Sequence, residues 1–149
     1  MNSYTQVLSI FKTSLSSQSE IKTVLQGDSN IDFSKKNIYG VAHIGLDTGS
    51  FKSNVTVFNA EIQALDQLTN TKETQTDKFY GNDNEVDILN AMMAVLRKTF
   101  DELVDDKYTK DIVIVGEADL QKVERTENNL LGWSMKFDIE VPNTIVSKC

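Results

Sequence analysis

Leu131-Gly132-Trp133-Ser134-Met135-Lys136-Phe137-Asp138-Ile139-Glu140-Val141 is the stretch that decides the architecture. Leu131, Trp133, Met135, Phe137, Ile139 and Val141 alternate without interruption with Gly132, Ser134, Lys136, Asp138 and Glu140. Successive side chains of an extended chain point to opposite faces, so the run reads as a strand with one apolar and one polar face. At ~3.3 Å per residue it spans roughly 36 Å, about twice an ordinary strand. A long strand that is apolar on one side only implies an antiparallel sheet covered on that side. Pro142 follows directly and stops the strand, because it has no N–H for the ladder.

The cover is supplied by a helix read over Glu85 to Asp105. Val86, Leu89, Met93, Leu96, Phe100 and Leu103 form one stripe, broadened by Met92 and Val104. Asn84 caps its first turn, and Glu85 and Asp87 lie near the positive end of the helix dipole. Upstream, residues 3–25 carry a second helical pattern in Tyr4, Val7, Leu8, Phe11 and Leu15, with Ser3 as N-cap. Ser14, Ser16, Ser17 and Ser19 interrupt it; a short second helix or a turn follows over Ile21 to Leu25 and ends at Gly27 and Asp28.

Between the helices, Asn37 to Leu46 and Asn54 to Leu65 read as strands. The joint Asp47-Thr48-Gly49-Ser50 is rich in turn formers, so residues 37–65 are read as a hairpin. Residues 67–84 are polar except for Phe79 and Tyr80 and read as a mobile loop. After the long helix, Ile112 to Val115 and Glu117 to Arg125 read as extended chain, and Thr126 to Asn129 as a turn. A C-terminal hairpin over residues 112–141 results. The order predicts a single α+β domain: a mostly antiparallel four- to five-stranded sheet with helices packed on one face.

The 149 residues carry a net charge of −7, with a pI of about 4.7, which argues against a sequence-reading nucleic-acid binder. The chain shows no apolar run long enough to span a bilayer and no signal-peptide pattern at Met1. Its single cysteine, Cys149, excludes an internal disulfide framework.

The sharpest chemical motif is again Asp47-Thr48-Gly49-Ser50, which resembles the catalytic signature of retroviral-type aspartic proteases, with Ile114-Val115-Gly116 in place of their later apolar-apolar-glycine segment. Against that reading, the protease fold is almost entirely β, whereas a long helix lies between the two motifs here. Four turn formers between two strands are also what any hairpin needs. His43 stands alone, without the cysteine or histidine spacing of a zinc site. Asp101, Glu102, Asp105 and Asp106 lack the glycine and spacing of a calcium loop and read as a solvated helix end. No catalytic, metal or cofactor residue is therefore assigned. Phe51, Phe79 and Tyr80, aromatics in predicted turns, together with Lys72 and Lys78, are the candidate assembly residues.

One resemblance spans nearly the whole layout. It is carried by residues 37–44 (Asn-Ile-Tyr-Gly-Val-Ala-His-Ile), by the helix start Asn84-Glu85-Val86-Asp87-Ile88-Leu89-Asn90, and by Asn128-Asn129-Leu130-Leu131-Gly132-Trp133 leading to Val141-Pro142-Asn143. This resembles the tail terminator and tail-completion (neck) proteins of long-tailed bacteriophages. The resemblance implies a structural, non-enzymatic virion protein that forms a hexameric ring, caps the tail tube and joins it to the head. The implied partners are further copies of the chain, the tail tube protein and a head-completion or connector protein, with DNA passing through the lumen without specific binding and no membrane. The implied location is the tail or neck of the virion, and the host cytoplasm during assembly. A different neck, connector or tail-tube protein is the nearest alternative, and the aspartic protease a more distant one.

Overall fold

A computed structural model describes residues 3–27, 40–68, 85–125 and 129–142. In chain order its elements are α1 (Ser3–Ser16), β1 (Thr23–Gln26), β2 (Val41–Lys52), β3 (Val55–Gln67), α2 (Glu85–Val104), β4 (Val113–Arg125) and β5 (Leu130–Pro142). The five strands form one sheet in the order β1-β2-β3-β5-β4. β5 is a central strand, antiparallel to β3 on one side and to β4 on the other. α2 therefore connects β3 to β4 across β5. The class is α+β, but the sheet is mixed: β2–β3, β3–β5 and β5–β4 are antiparallel, while β1 lies parallel to β2.

The alternation in β5 does what its period dictates. Leu131, Met135, Phe137, Ile139 and Val141 are buried, whereas Lys136 and Asp138 on the other face are exposed. Cross-strand partners share a face, so Met135 continues into Ile62 and Ile44, and Phe137 into Ala60. Both helices cover this face. Phe137 is where they meet, with ring centroids 5.8 Å from Phe11 of α1 and 6.5 Å from Phe100 of α2, the latter edge-on at 85°. Trp133 is half-buried, and its indole N–H donates to the Leu89 carbonyl of α2 at 2.9 Å. Beside it Gly132 runs so close to Ala64 that a Cβ would overlap the Ala64 carbonyl, so the strand crossing admits no side chain there.

Three expectations need correction. The helix read over residues 3–25 stops at Ser16, and the expected second helix or turn is instead the parallel strand β1. The serines explain the stop: the Ser17 hydroxyl bonds the Ser14 carbonyl at 2.7 Å, competing with the helical ladder. Val24 then faces the main core, while Leu25 joins Val41 and Leu130 in a small cluster.

The hairpin turn lies not at Asp47–Ser50 but at Ser53–Asn54, where Asn54 adopts φ 71°, a conformation asparagine tolerates in a tight turn. Asp47-Thr48-Gly49-Ser50 is part of strand β2, and its turn-forming residues are used in a bulge. Three steps of β2, from Gly45 to Thr48, oppose two of β3, from Glu61 to Asn59. The extra residue exchanges the faces. Ala42 and Ile44 lie on the covered side before it, and Phe51, paired with Thr56 and through it Val141, lies there after it.

In α2 the buried residues are Ile88, Met92, Val95, Leu96, Thr99, Glu102 and Leu103. Val86, Met93 and Val104, read as part of the buried stripe, are exposed instead. Among the described residues no helix is long and apolar enough to cross a membrane.

Candidate functional site

Of the five candidate assembly residues, the structure places one. Phe51 sits beside the two-residue turn of the β2–β3 hairpin and is 83% exposed, the most exposed large hydrophobic among the described residues. Lys52 follows it and makes a 3.2 Å ion pair with Glu140 of β5. Lys72, Lys78, Phe79 and Tyr80 lie outside the described residues, as does Asn84.

A second surface was not read from the sequence at all. Between α2 and the edge strand β4 runs an apolar groove of about 690 Å³, lined by Met93, Ala94, Phe100, Leu120 and Met135 among others. Beside it β4 is bulged. Between Val115 and Asp119 four steps of β4 oppose two of β5, from Asp138 to Lys136, and Gly116 takes φ +75° in this bulge. A glycine inside a strand pattern, directly after the apolar run Ile112–Val115, is the available signal, since it often marks a bulge. Along the same edge Val113, Val115 and Leu120 are 54%, 40% and 47% exposed. Glu117 lines the groove and makes no ion pair with a described residue, whereas the Arg97 guanidinium is held by Asp101 at 3.1 Å. Nearer the start of α2, Lys122 of β4 lies 3.9 Å from Glu85.

The sheet face turned away from the helices carries a polar, net acidic strip on its middle rungs, beside Val57, Val113 and Val115 on the same face. Lys136 shares a rung with Glu61 on β3 and Asp119 on β4. The Glu61 carboxylate accepts from Gln63 at 2.9 Å and from Ser134 at 2.8 Å. The Gln63 bond lowers its pKa against the opposing effect of burial, and Ser134 and the charges of Lys136 and His43 add to the lowering. Asp47, Glu61, Asp138 and Lys136 border a shallow depression of about 370 Å³. Asp47 itself is exposed on the β2 bulge, next to Thr48, whose hydroxyl accepts from Asn59 at 2.7 Å. The strand order separates Asp47 from Ile114-Val115-Gly116 by β3 and β5. His43 is a structural tether: its Nε2–H donates to the Gly27 carbonyl at 2.6 Å, since a carbonyl can only accept.

The acidic end of α2 divides into outward and inward groups. Glu102 is buried, accepting from the Ser14 hydroxyl at 2.6 Å, the Lys107 ammonium at 3.0 Å and the Tyr108 hydroxyl at 3.0 Å. Gln18 adds bonds to the Val95 carbonyl and the Thr99 hydroxyl at 3.1 and 2.9 Å. Burial alone would raise the Glu102 pKa, but the bonds from Ser14, Lys107 and Tyr108 and the Lys107 charge outweigh it and hold the carboxyl below its ordinary range. This network fastens the C-terminal end of α1 to that of α2. Among the described residues, no group of three or more His, Cys, Asp or Glu side chains converges as a metal site would require.

No protein-family model matches the chain, and no curated protein matches it.

Proposed function

We propose that this chain is a structural virion protein, a tail terminator or tail-completion protein that assembles into a ring on the tail tube and joins it to the neck. The observation that carries the reading, beside the sequence resemblance, is that the sheet has two unlike edges. At one end β1 pairs with only Val41–Ile44 of β2, leaving the rest of that strand as an edge among the described residues. At the other end stands β4, thirteen residues long, bulged and flanked by the apolar groove. Unlike surfaces join head to tail, and a head-to-tail contact that closes by rotation makes a ring. The net acidic strip on the face turned away from the helices, Glu61, Asp119, Asp138 and Glu140 against Lys136 and Lys52, suits a wall along which DNA slides, because carboxylates repel the phosphate backbone.

Sedimentation and negative-stain imaging of the purified protein test this reading. Six copies of a 16.7 kDa chain give a closed particle of about 100 kDa with a central hole. A protein that stays monomeric at every accessible concentration, alone and with tail tubes, overturns the proposal. A terminator added to growing tail tubes stops their elongation, whereas a tube subunit extends them. Asp47→Asn leaves the particle unchanged, since Asp47 is assigned no catalytic part.

A further inference from the structure

We infer that Phe51 of one copy seats in the groove between α2 and β4 of the next copy. This rests on the self-assembly proposed above and names the contact that would carry it. The groove presents Met93, Ala94, Phe100 and Leu120 over Met135, and exposed apolar surface of this kind marks a docking site. The chain itself provides a fitting occupant. Phe51 stands at a tight hairpin tip with 83% of its surface in water, so a rigid strand pair presents the ring. Aromatic anchors of this type, entering apolar pockets, carry most of the binding energy of protein interfaces.

Charge is complementary at the same place. Lys52, which can exchange its exposed pairing with Glu140, accompanies Phe51, and the groove carries the Glu117 carboxylate, which has no ion partner among the described residues, while its Arg97 is already held by Asp101. The hairpin tip cannot fill the groove of its own chain. Val55, at the tip, is level with Pro142, whereas the groove is bedded on Met135, seven residues along β5 or roughly 24 Å away, at the far side of the sheet. Tip and groove are thus separate patches, and joining them generates a head-to-tail series.

The test uses two full-length proteins, both carrying Cys149→Ser. One has Ser53→Cys, two residues from Phe51 in the hairpin turn, and the other, with a size tag, has Ala94→Cys. After mixing and co-assembly, a short bis-maleimide links the tagged chain to the untagged one as the main product. Linkage mainly between two Ser53→Cys chains, or none in a mixture that does assemble, overturns the contact while leaving the ring reading standing. If the unmodified protein does not assemble at all, both fall. As an independent measure, Phe51→Asp raises the concentration for half-assembly by roughly 30-fold or more, the scale of a central anchor. Its melting curve at monomeric concentration stays unchanged, which rules out misfolding as the cause. Assembly unaltered by Phe51→Asp overturns the inference.

Discussion

The two flanks of α2 are finished differently. On the side of α1 the contact is closely packed and bonded: Phe11 and Phe100 close on Phe137, and Glu102 collects donors from Ser14, Lys107 and Tyr108. On the side of β4 the strand is bulged at Gly116, and Met93 and Leu120 remain 38% and 47% exposed. One helix thus has a sealed flank and an open one. Under the assembly proposed above, the open flank is where a neighbouring copy would contribute, because burial of its apolar surface stabilises only when something arrives to cover it.

The largest expected effect comes from breaking the sealed flank at its centre. Phe137→Ala removes the ring shared by both helices and the sheet, and costs about 3–5 kcal/mol in urea unfolding, enough to threaten the fold. A loss under about 1 kcal/mol would mean that the two helices do not converge there. Glu102→Gln comes next. It keeps the shape but removes the charge that three donors address, and is expected to cost about 1–3 kcal/mol. The same network makes stability depend on pH. The Glu102 carboxyl is held below its ordinary 4.5, so its contribution is complete above about pH 4.5 and is lost as pH falls through the lower folded value. Unfolding measured between pH 6 and 2 should show a shallower acid loss in Glu102→Gln than in the parent.

How far these flanks could be read from residues alone differs in the same way. β5 was legible because every second side chain meets one continuous cover, so period and burial agree. β1 was not, since Thr23–Gln26 is too short for a period to show and its partner lies across residues 28–40. The hairpin was found but its turn was misplaced. Asp47-Thr48-Gly49-Ser50 has stronger turn chemistry than Ser53-Asn54, yet the stronger signal was spent on a bulge. For α2, composition revealed a broad apolar stripe but not where its cover ends, which depends on a strand that follows it in the chain. Glu102 looked like one more solvated carboxylate beside Asp101 and Asp105. Only the convergence of Ser14, 88 residues away, with Tyr108 turns it inward. Of the candidate site, Phe51 is legible as an aromatic near a turn, whereas the groove between α2 and β4 is not.

The smallest expected effect on folding is on the open flank, and there the contrast is sharpest. Leu120→Lys puts a charge on a side chain already half in water, so the monomer's stability should move by no more than about 0.5 kcal/mol in either direction. Lys and Arg stems lie along apolar surface with the charge in water, so the strand need not shift. Assembly should respond very differently, because a partner covering the groove would have to bury that ammonium. The discriminating measurement is therefore a pair: urea unfolding at low concentration beside sedimentation at high concentration. If Leu120→Lys destabilises the monomer as much as Glu102→Gln, the flank is part of the folding core and needs no partner. If it leaves both folding and assembly unchanged, the exposed edge of β4 is ordinary surface, and the difference between the two sides of α2 carries no functional meaning.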